Sequence, residues 1–311
     1  MAENRSKPRQ TTGLPARLRP MLDPTTLAAP PAAEAEFAMT RADYDQVRRL
    51  IYRHAGIHLV EGKEAMVYGR LARRLRETGH GSFALYLQHL QQLEQRAGAA
   101  DAASEMQEFV NCLTTNLTSF FREEHHFEAL AEDLRARAGT AAQPLRLWCS
   151  AASTGEEPYS LAMTAVETLG ASARVELLAS DIDTQVLRTA ERGVYAADSR
   201  GLTELRLRRH FLRGTGANAG HVRVRPELAR LLRFMPFNLI NGDWGGLGRP
   251  FDIIFCRNVM IYFDGPTQRR VLQRMHGLLQ PGGLLYVGHS ENFSDARELF
   301  RLRGKTVYER V

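Results

Sequence analysis

A turn of small residues followed by two carboxylates is the part of the sequence best suited to bind a ligand. The apolar run Leu145–Ser150 leads into Ala151–Gly155 and then into Glu156 and Glu157, where a helical pattern begins. Small residues let a backbone approach a ligand closely, and open α/β sheets bind ligands at the carboxyl ends of their strands. The turn has neither the G-x-G-x-x-G spacing nor the lysine of a phosphate-binding loop. Because the carboxylates would repel a phosphate, we expect a cationic or hydroxyl-bearing ligand, unless they only stabilise the start of the helix.

The next apolar run, Val175–Ser180, ends on two further carboxylates, Asp181 and Asp183. An acidic residue at the end of the second strand of such a sheet can accept hydrogen bonds from ribose hydroxyls. A ribose without a phosphate, next to carboxylates, indicates a nucleoside that carries positive charge. S-adenosylmethionine, with its sulfonium and ammonium groups, is such a ligand.

Short apolar runs alternate with helical segments after residue 143, which predicts a parallel sheet covered on both faces. The runs are Leu145–Ser150, Val175–Ser180, Phe251–Cys256 and Leu284–Gly288, and the helical segments are Glu157–Leu169, Thr184–Glu191 and Pro266–Leu279. The alternation breaks between residues 194 and 238. There a glycine-rich turn precedes alternating valines and arginines at 222–225, which predicts a hairpin-like insert with one apolar and one basic face.

The N-terminal third of the chain divides into a tail and a helical segment. Residues 1 to about 36 are rich in proline, alanine, threonine and arginine and show no apolar periodicity, so we expect this tail to be disordered. Thr40 is the expected N-cap of a first helix that ends at Gly56. Short helices joined by short loops predict a helical domain over residues 37–124, followed by an α/β domain over residues 125–311.

The composition is that of a globular protein with a modest positive charge. Of 311 residues, 44% are apolar and 24% are charged, and the formal net charge is +6, which suits an anionic partner without naming it. The three cysteines, Cys112, Cys149 and Cys256, form no CxxC pair, so we expect neither a zinc site nor a disulfide framework. No apolar run is long enough to cross a bilayer and the N-terminus lacks a signal-peptide pattern, which predicts a cytoplasmic location.

Seven segments of the chain together carry a resemblance that no single one of them would establish. They are TNLTSFFRE (Thr115–Glu123), AASTGEEPYSLAM (Ala151–Met163), ASDIDTQVL (Ala179–Leu187), RGTGANAGHVRVR (Arg213–Arg225), FNLI (Phe237–Ile240), CRNVMIYFD (Cys256–Asp264) and GHSEN (Gly288–Asn292). From about Phe37 to its C-terminus the chain resembles the CheR family of chemotaxis receptor glutamate O-methyltransferases. The tail lies outside the resemblance.

The resemblance implies an all-helical N-terminal domain followed by a Rossmann-like α/β methyltransferase domain with a small inserted antiparallel β-subdomain, here at about residues 205–236. It implies S-adenosylmethionine as cofactor and S-adenosylhomocysteine as product. The positions that match the family's cofactor motifs are Asn116, Thr118, Arg122, Glu156, Asp181, Asn238, Leu239, Arg257 and Asn258. By the same resemblance Tyr262 lies near the transferred methyl group.

The reaction that the resemblance implies needs little help from side chains. A glutamate substrate is already ionised at pH 7, so no general base is required, and the sequence has no obvious Ser/His/Asp or Cys/His arrangement. Arg122 either binds the methionine carboxylate of the cofactor or orients the substrate glutamate, and Tyr262 either acts beside the methyl group or is a core residue. His125, His126 and His289 are not spaced as a metal set, so no metal is expected.

Two basic features are candidates for binding the substrate. Arg70, Arg73 and Arg74 lie on one predicted helix, where they either steer an acidic receptor helix or form a solvated face. Arg223 and Arg225 lie in the insert, where the resemblance implies that some members bind a receptor C-terminal tail peptide. We expect a monomer whose partner is the cytoplasmic helical region of chemoreceptors, with no membrane insertion and no nucleic acid.

Two other functions remain open at the level of sequence. A nucleic-acid methyltransferase agrees with the basic charge, but base amino-group methylation typically uses an Asn/Asp-Pro-Pro-aromatic loop, and residues 257–262 read RNVMIY. Carbon-5 methylation needs a cysteine nucleophile, whereas Cys256 lies inside a strand pattern. A non-catalytic S-adenosylmethionine-binding adaptor on the same fold is the third possibility. The sequence names neither the receptor and its methylated glutamates nor the role of the tail.

Overall fold

The computed structural model describes residues 36–95, 100–139, 143–170, 173–293 and 296–311. The tail that we predict to be disordered lies outside these residues, except for Glu36. Residues 37–311 form one compact unit. Within the described residues no helix has both the length and the apolar composition that crossing a membrane requires.

Four helices begin the described chain: α1 (Arg41–Ala55), α2 (Glu64–Thr78), α3 (Phe83–Gln95) and α4 (Ala100–Leu113). The predicted cap is confirmed, since Thr40 and Asp43 form a reciprocal capping box at the start of α1 and Gly56 ends it in the left-handed conformation. Apolar residues recur along one face of each helix, as Val67, Leu71 and Leu75 do on α2, and bury that face in a shared core.

A large mixed sheet follows, as the alternation of apolar runs predicts. Its strands are β1 (Leu145–Cys149), β2 (Val175–Asp181), β6 (Leu232–Pro236), β7 (Phe251–Cys256), β8 (Leu279–Val287), β9 (Phe300–Gly304) and β10 (Val307–Arg310). The order is β6-β2-β1-β7-β8-β10-β9, and the first five strands are parallel. The chain runs outward from β1 to β6 and then returns to β7 on the other side of β1. The topological switch point therefore lies between β1 and β7.

Helices cover both faces of this sheet. They are α5 (His125–Ala138), α6 (Glu156–Leu169), α7 (Thr184–Arg192) and α10 (Gly265–Leu278). Strand side chains alternate between two separate cores, since Leu147 and Cys149 pack into one and Trp148 packs into the other. The predicted α/β architecture is thus confirmed.

A second sheet has three antiparallel strands in the order β3-β5-β4. These are β3 (Val194–Ala196), β4 (Phe211–Arg213) and β5 (His221–Val224), with α8 (Glu204–His210) before β4 and α9 (Pro226–Ala229) after β5. The sheet begins earlier than the predicted insert at about residues 205–236, because the three-residue β3 pairs with β5. The last part of that range, β6, instead extends the large sheet beside β2.

Candidate active site

A cavity of about 110 Å³ lies at the carboxyl ends of β1, β2, β6 and β7, at the switch point of the large sheet. Each of these four strands contributes residues from the turn that follows it. The loop between α4 and α5 and the end of α1 complete the wall. A ligand in this cavity would therefore contact both the sheet and the helical segment that precedes it.

Asp181 ends β2 and lines the cavity. Its carboxylate accepts hydrogen bonds from the backbone N–H groups of Ser153 at 2.8 Å and Asp183 at 2.9 Å. Burial raises the pKa of Asp181 to about 6, although these two hydrogen bonds oppose the change. The turn after β1 is thus tied directly to the acidic end of β2, as the spacing of the two motifs predicts.

Asp183 does not line the cavity but fixes the loop that does. One of its oxygens caps α7 by accepting from Gln185 and Val186. The other accepts from the Asn116 amide at 2.7 Å and from the Thr114 hydroxyl at 2.8 Å. The amide of Asn116 is therefore engaged within the protein, and this predicted cofactor residue also positions its own loop.

Asn238 joins the α/β part of the molecule to the helical part. Its amide nitrogen donates to the backbone carbonyl of His54, at the end of α1, at 2.6 Å, and its oxygen accepts from the backbone of Ile240 at 2.8 Å. This contact brings Ala55 and Ile57 against the cavity, beside Asn238 and Leu239. The first helix thus forms one wall of the site.

A buried charge network holds the floor of the cavity. The Arg257 guanidinium, whose side chain is 0% exposed, donates to Glu157 at 2.6 Å and to the backbone carbonyl of Arg122 at 2.6 Å, and it lies 3.2 Å from Glu123. Burial would raise the pKa of Glu123, but the hydrogen bond from His289 and the charge of Arg257 outweigh burial and lower it to about 2. The Nε atom of Arg257 is buried without a protein partner, so one donor of this network remains available.

Asn258 follows Arg257 with a left-handed backbone (φ 58°). The carboxylate of Glu291 supports this turn by accepting from the backbone N–H groups of Asn258 at 2.9 Å, Met260 at 2.8 Å and Gly288 at 2.6 Å. A Cβ atom at Gly288 would lie 2.4 Å from the Asn258 amide. Glycine at this position therefore leaves space for the Asn258 side chain.

Arg122, Thr118 and Tyr262 line the remaining wall. Arg122 donates to the backbone carbonyl of Leu117 at 3.0 Å, which leaves other guanidinium donors free to meet an anion. Tyr262 lies on a short 3-10 turn, Met260–Tyr262, and its backbone carbonyl accepts from the N–H of His58 at 2.8 Å. The cavity thus combines a carboxylate on one side with guanidinium groups and a phenol on the other.

Comparisons with known proteins agree with this geometry. Residues 42–114 match the family described as "CheR methyltransferase, all-alpha domain", and residues 116–309 match "CheR methyltransferase, SAM binding domain". The chain belongs to the CheR methyltransferase family. It is 52% identical to chemotaxis protein methyltransferase 2 of Pseudomonas aeruginosa over 92% of this chain and 99% of that protein. It is also 51% identical to the chemotaxis protein methyltransferase of Escherichia coli, over 87% and 91% respectively.

As a CheR methyltransferase the chain is an enzyme whose cofactor is S-adenosylmethionine. The residues of the cavity fit that cofactor. The buried carboxylate of Asp181 suits ribose hydroxyls, and the Arg122 guanidinium suits the carboxylate of the methionine part. The unpartnered Nε atom of Arg257 offers a further donor.

One residue predicted to bind the CheR cofactor is placed elsewhere. Glu156 is not among the residues that line the cavity, and its carboxylate accepts from the Thr154 hydroxyl at 2.6 Å. The neighbouring Glu157 lines the cavity and pairs with Arg257. From the sequence the two glutamates cannot be distinguished, because both lie in the first turn of α6.

The five arginines predicted to bind substrate lie outside the CheR cofactor cavity, and two of them have structural contacts. Arg70 donates to the backbone carbonyls of Leu113 and Thr114, both at 2.8 Å, and so caps the end of α4. Arg74 forms ion pairs with Glu105 and Glu77, so its charge is compensated within the helical domain. That compensation argues against the predicted role of Arg74 as a substrate ligand.

Three arginines are better placed to meet a partner. Arg73 is largely exposed, and its ion pair with Glu77 of the same helix, at 2.8 Å, is of the exposed kind that contributes little stability. Arg223 is exposed on the small sheet, where it is paired in register with Val194 and Leu212. Arg225 is half-buried and its Nε atom has no protein partner.

Glu123 and Glu291 are functional candidates that sequence reasoning missed in this CheR fold, and Glu157 was named only as one of two carboxylates at the start of α6. All three lie inside the quoted motifs STGEEP, TSFFRE and GHSEN, so the motifs located them without assigning a role. Their roles depend on partners far along the chain, such as Arg257, which is 100 residues from Glu157.

Proposed function

We propose that this chain transfers the methyl group of S-adenosylmethionine to glutamate side-chain carboxylates of chemoreceptors. The products are glutamyl methyl esters and S-adenosylhomocysteine. The observation that supports this most is the grouping of Asp181, Arg122, Arg257 and Tyr262 in one cavity at the switch point of the sheet. The sequence identity between this chain and chemotaxis protein methyltransferases supports the chemotactic role.

The cofactor is held, in this proposal, by residues from each wall of the cavity. Asp181 accepts from the ribose hydroxyls, while Asn238 and Leu239 border the adenine. Arg122 meets the methionine carboxylate, and Asn116 and Thr118 shape the loop beside it. Arg257 and Asn258 complete the floor, where the carboxylates of Glu157 and Glu291 keep them in place.

A carboxylate substrate suits the chemistry of this cavity. The bound cofactor supplies an electrophilic methyl group on a sulfonium, and an ionised glutamate attacks it without prior loss of a proton. Among the described residues that line the cavity there is no histidine or cysteine, so neither a histidine base nor a thiol nucleophile has a candidate there. Burial raises the pKa of Cys256, which disfavours a thiolate in its strand.

Arg122 and Tyr262 are the proposed catalytic residues. Each lines the cavity from a different segment, so that a substrate side chain entering between them would meet both. The residues position the carboxylate and exclude water, and such positioning accounts for up to roughly 7–11 kcal/mol of a reaction barrier. Loss of charge as carboxylate and sulfonium react favours a site shielded from solvent.

The substrate is proposed to approach over Arg73 on α2, with Arg223 and Arg225 of the small sheet available for a receptor tail peptide. We also propose that the chain is a monomer that acts in the cytoplasm, where the methylated helices of receptors lie. The division into a helical domain (residues 37–124) and a methyltransferase domain (residues 125–311) also remains a proposal.

The affinity for S-adenosylmethionine is expected to fall as the pH drops below about 6, because burial raises the pKa of Asp181 to about 6. The ionised carboxylate accepts from the ribose hydroxyls with both oxygens, whereas the protonated form is a weaker acceptor with one oxygen occupied by hydrogen. The Kd should rise by up to about tenfold per pH unit below the pKa. Calorimetric titrations on the wild type and on Asp181→Asn check this. The variant should bind weakly with a flat profile, and a flat profile in the wild type would rule out the role.

The proposed function is tested by incubating the full chain with methyl-labelled cofactor and isolated chemoreceptor cytoplasmic regions. We expect label on the receptor that is released as methanol in mild base, since methyl esters hydrolyse there and N-methyl bases do not. Receptors with the candidate glutamates changed to alanine serve as the control. Label that resists base, or that appears on nucleic acid instead, would refute the proposal; cofactor binding without transfer would indicate an adaptor.

A further inference from the structure

A cluster of metal-ligating side chains lies at the start of α5, outside the cofactor cavity. The ligand atoms of Glu123, His125 and His126 all lie within 4.8 Å of one another. None of the three residues lines the cavity. The sequence predicts no metal here because His125, His126 and His289 are not spaced as a metal set. Glu123 has a left-handed backbone (φ 59°), and its carboxylate lies beside the ring of His126.

His126 carries the observation that points to a ligand. Its side chain is 0% exposed, and its Nε2 atom lies 2.8 Å from the backbone carbonyl of Lys305. A carbonyl only accepts, so Nε2 must carry the hydrogen, and the neutral ring then has a lone pair at Nδ1. That Nδ1 atom has no hydrogen-bond partner. Leaving a buried acceptor without a donor costs free energy. The geometry therefore indicates that a bound ion belongs beside Nδ1.

The atom that faces this lone pair is another acceptor. Oε2 of Glu123 lies 3.5 Å from Nδ1 of His126, with no donor between them. When Nε2 donates to the carbonyl of Lys305, the Nδ1 atom of the neutral ring offers Glu123 a lone pair and no proton. A cation that binds both imidazole and carboxylate is the occupant that matches these atoms.

We propose that Glu123, His125 and His126 form a binding site for a divalent transition-metal ion such as Zn²⁺. Zinc takes histidine nitrogen and carboxylate oxygen at about 2.0–2.2 Å, so the half-exposed ring of His125 would move inward, with solvent completing the coordination. The hydrogen bond from Nε2 of His126 to a backbone carbonyl is the arrangement that usually orients a metal-bound histidine.

The charges around this site couple ion binding to cofactor binding in the active site. Arg257 lies 3.2 Å from Oε2 of Glu123, and His289 donates to Glu123 from its backbone and contacts it with its ring. An ion bound to Glu123 therefore weakens the hold of that carboxylate on Arg257. Because Arg257 lines the cofactor cavity, zinc and S-adenosylmethionine are expected to bind with negative coupling, which must be reciprocal.

The test is a titration of the full chain with Zn²⁺ alone, in competition with a chromophoric chelator. We expect one ion per chain, and a loss of affinity of about tenfold or more in His125→Ala. His125 is half-exposed and touches neither cofactor nor Arg257, so this variant should fold and retain methyl transfer. His221→Ala, which removes an exposed histidine of the small sheet, is the matched control and should not weaken zinc binding.

Two results would overturn the proposal. One is the absence of a stoichiometric ion, and the other is equal zinc affinity in His125→Ala and wild type, which would place the ion elsewhere. Cobalt(II) provides a second readout, since nitrogen and oxygen ligation gives a visible absorption band that His125→Ala should lose. Zinc should also raise the Kd for S-adenosylmethionine by about fivefold or more; an unchanged Kd would refute the coupling.

Discussion

Replacing Arg122 with alanine is expected to lower the kcat/KM of methyl transfer by roughly 100-fold or more. Arg122 lines the cavity and donates one hydrogen bond to the carbonyl of Leu117. Its other donors can therefore form two charge-assisted hydrogen bonds with a carboxylate. Such bonds contribute about 1.5–3 kcal/mol each, and about 1.4 kcal/mol corresponds to a factor of ten. Steady-state kinetics with a receptor fragment, together with calorimetry of cofactor binding, measure the effect.

The same variant distinguishes the two roles considered for Arg122. If it binds the methionine carboxylate, the Kd for the cofactor rises while turnover at saturation changes little. If it orients the substrate glutamate, turnover falls and the cofactor Kd is unchanged. Arg135→Ala, an exposed arginine on α5, is the matched control and should behave as wild type. Activity of Arg122→Ala within about twofold of wild type would exclude both roles.

Replacing Arg257 with methionine is expected to destabilise the fold by about 3–5 kcal/mol at neutral pH, because removing one partner of a buried ion pair leaves uncompensated charge. The variant would leave Glu157 and Glu123 without their shared guanidinium. Denaturant unfolding measures the loss. The loss should shrink as the pH falls, since the stranded carboxyl groups then become protonated.

A double variant and an exposed ion pair provide the controls for this prediction. Arg257→Met combined with Glu157→Gln should recover part of the stability, because one stranded charge is removed. Arg208→Met breaks the exposed pair with Glu204 and should cost at most about 1 kcal/mol. If Arg257→Met costs no more than Arg208→Met, the buried network does not support the floor of the cavity.

Much of the site follows from the sequence, because turns after parallel strands converge on one edge of a sheet. Asp181 and Asn258 each follow an apolar run that forms a strand, and both line one cavity. The same reasoning does not distinguish Glu156 from Glu157, because the two are adjacent in the first turn of α6. Only packing decides that Glu157 pairs with Arg257 while Glu156 turns to Thr154.

Long-range pairing accounts for the other differences. The charge pattern of α2 suggested a binding surface, yet Arg70 caps α4 and Arg74 pairs with Glu105, and neither partner is adjacent in sequence. The sequence assigns β6 to the insert, and only its pairing with β2 places it in the large sheet. The sequence does not predict β9 and β10, which are five and four residues long.

A crystal structure of the full chain with S-adenosylhomocysteine bound tests the central claim most directly. We predict ribose hydroxyls within hydrogen-bonding distance of Asp181, the homocysteine carboxylate at Arg122, and the sulfur facing Tyr262. A nucleoside bound away from the switch point between β1 and β7, or lying in the cavity with no contact to Asp181, would contradict the account.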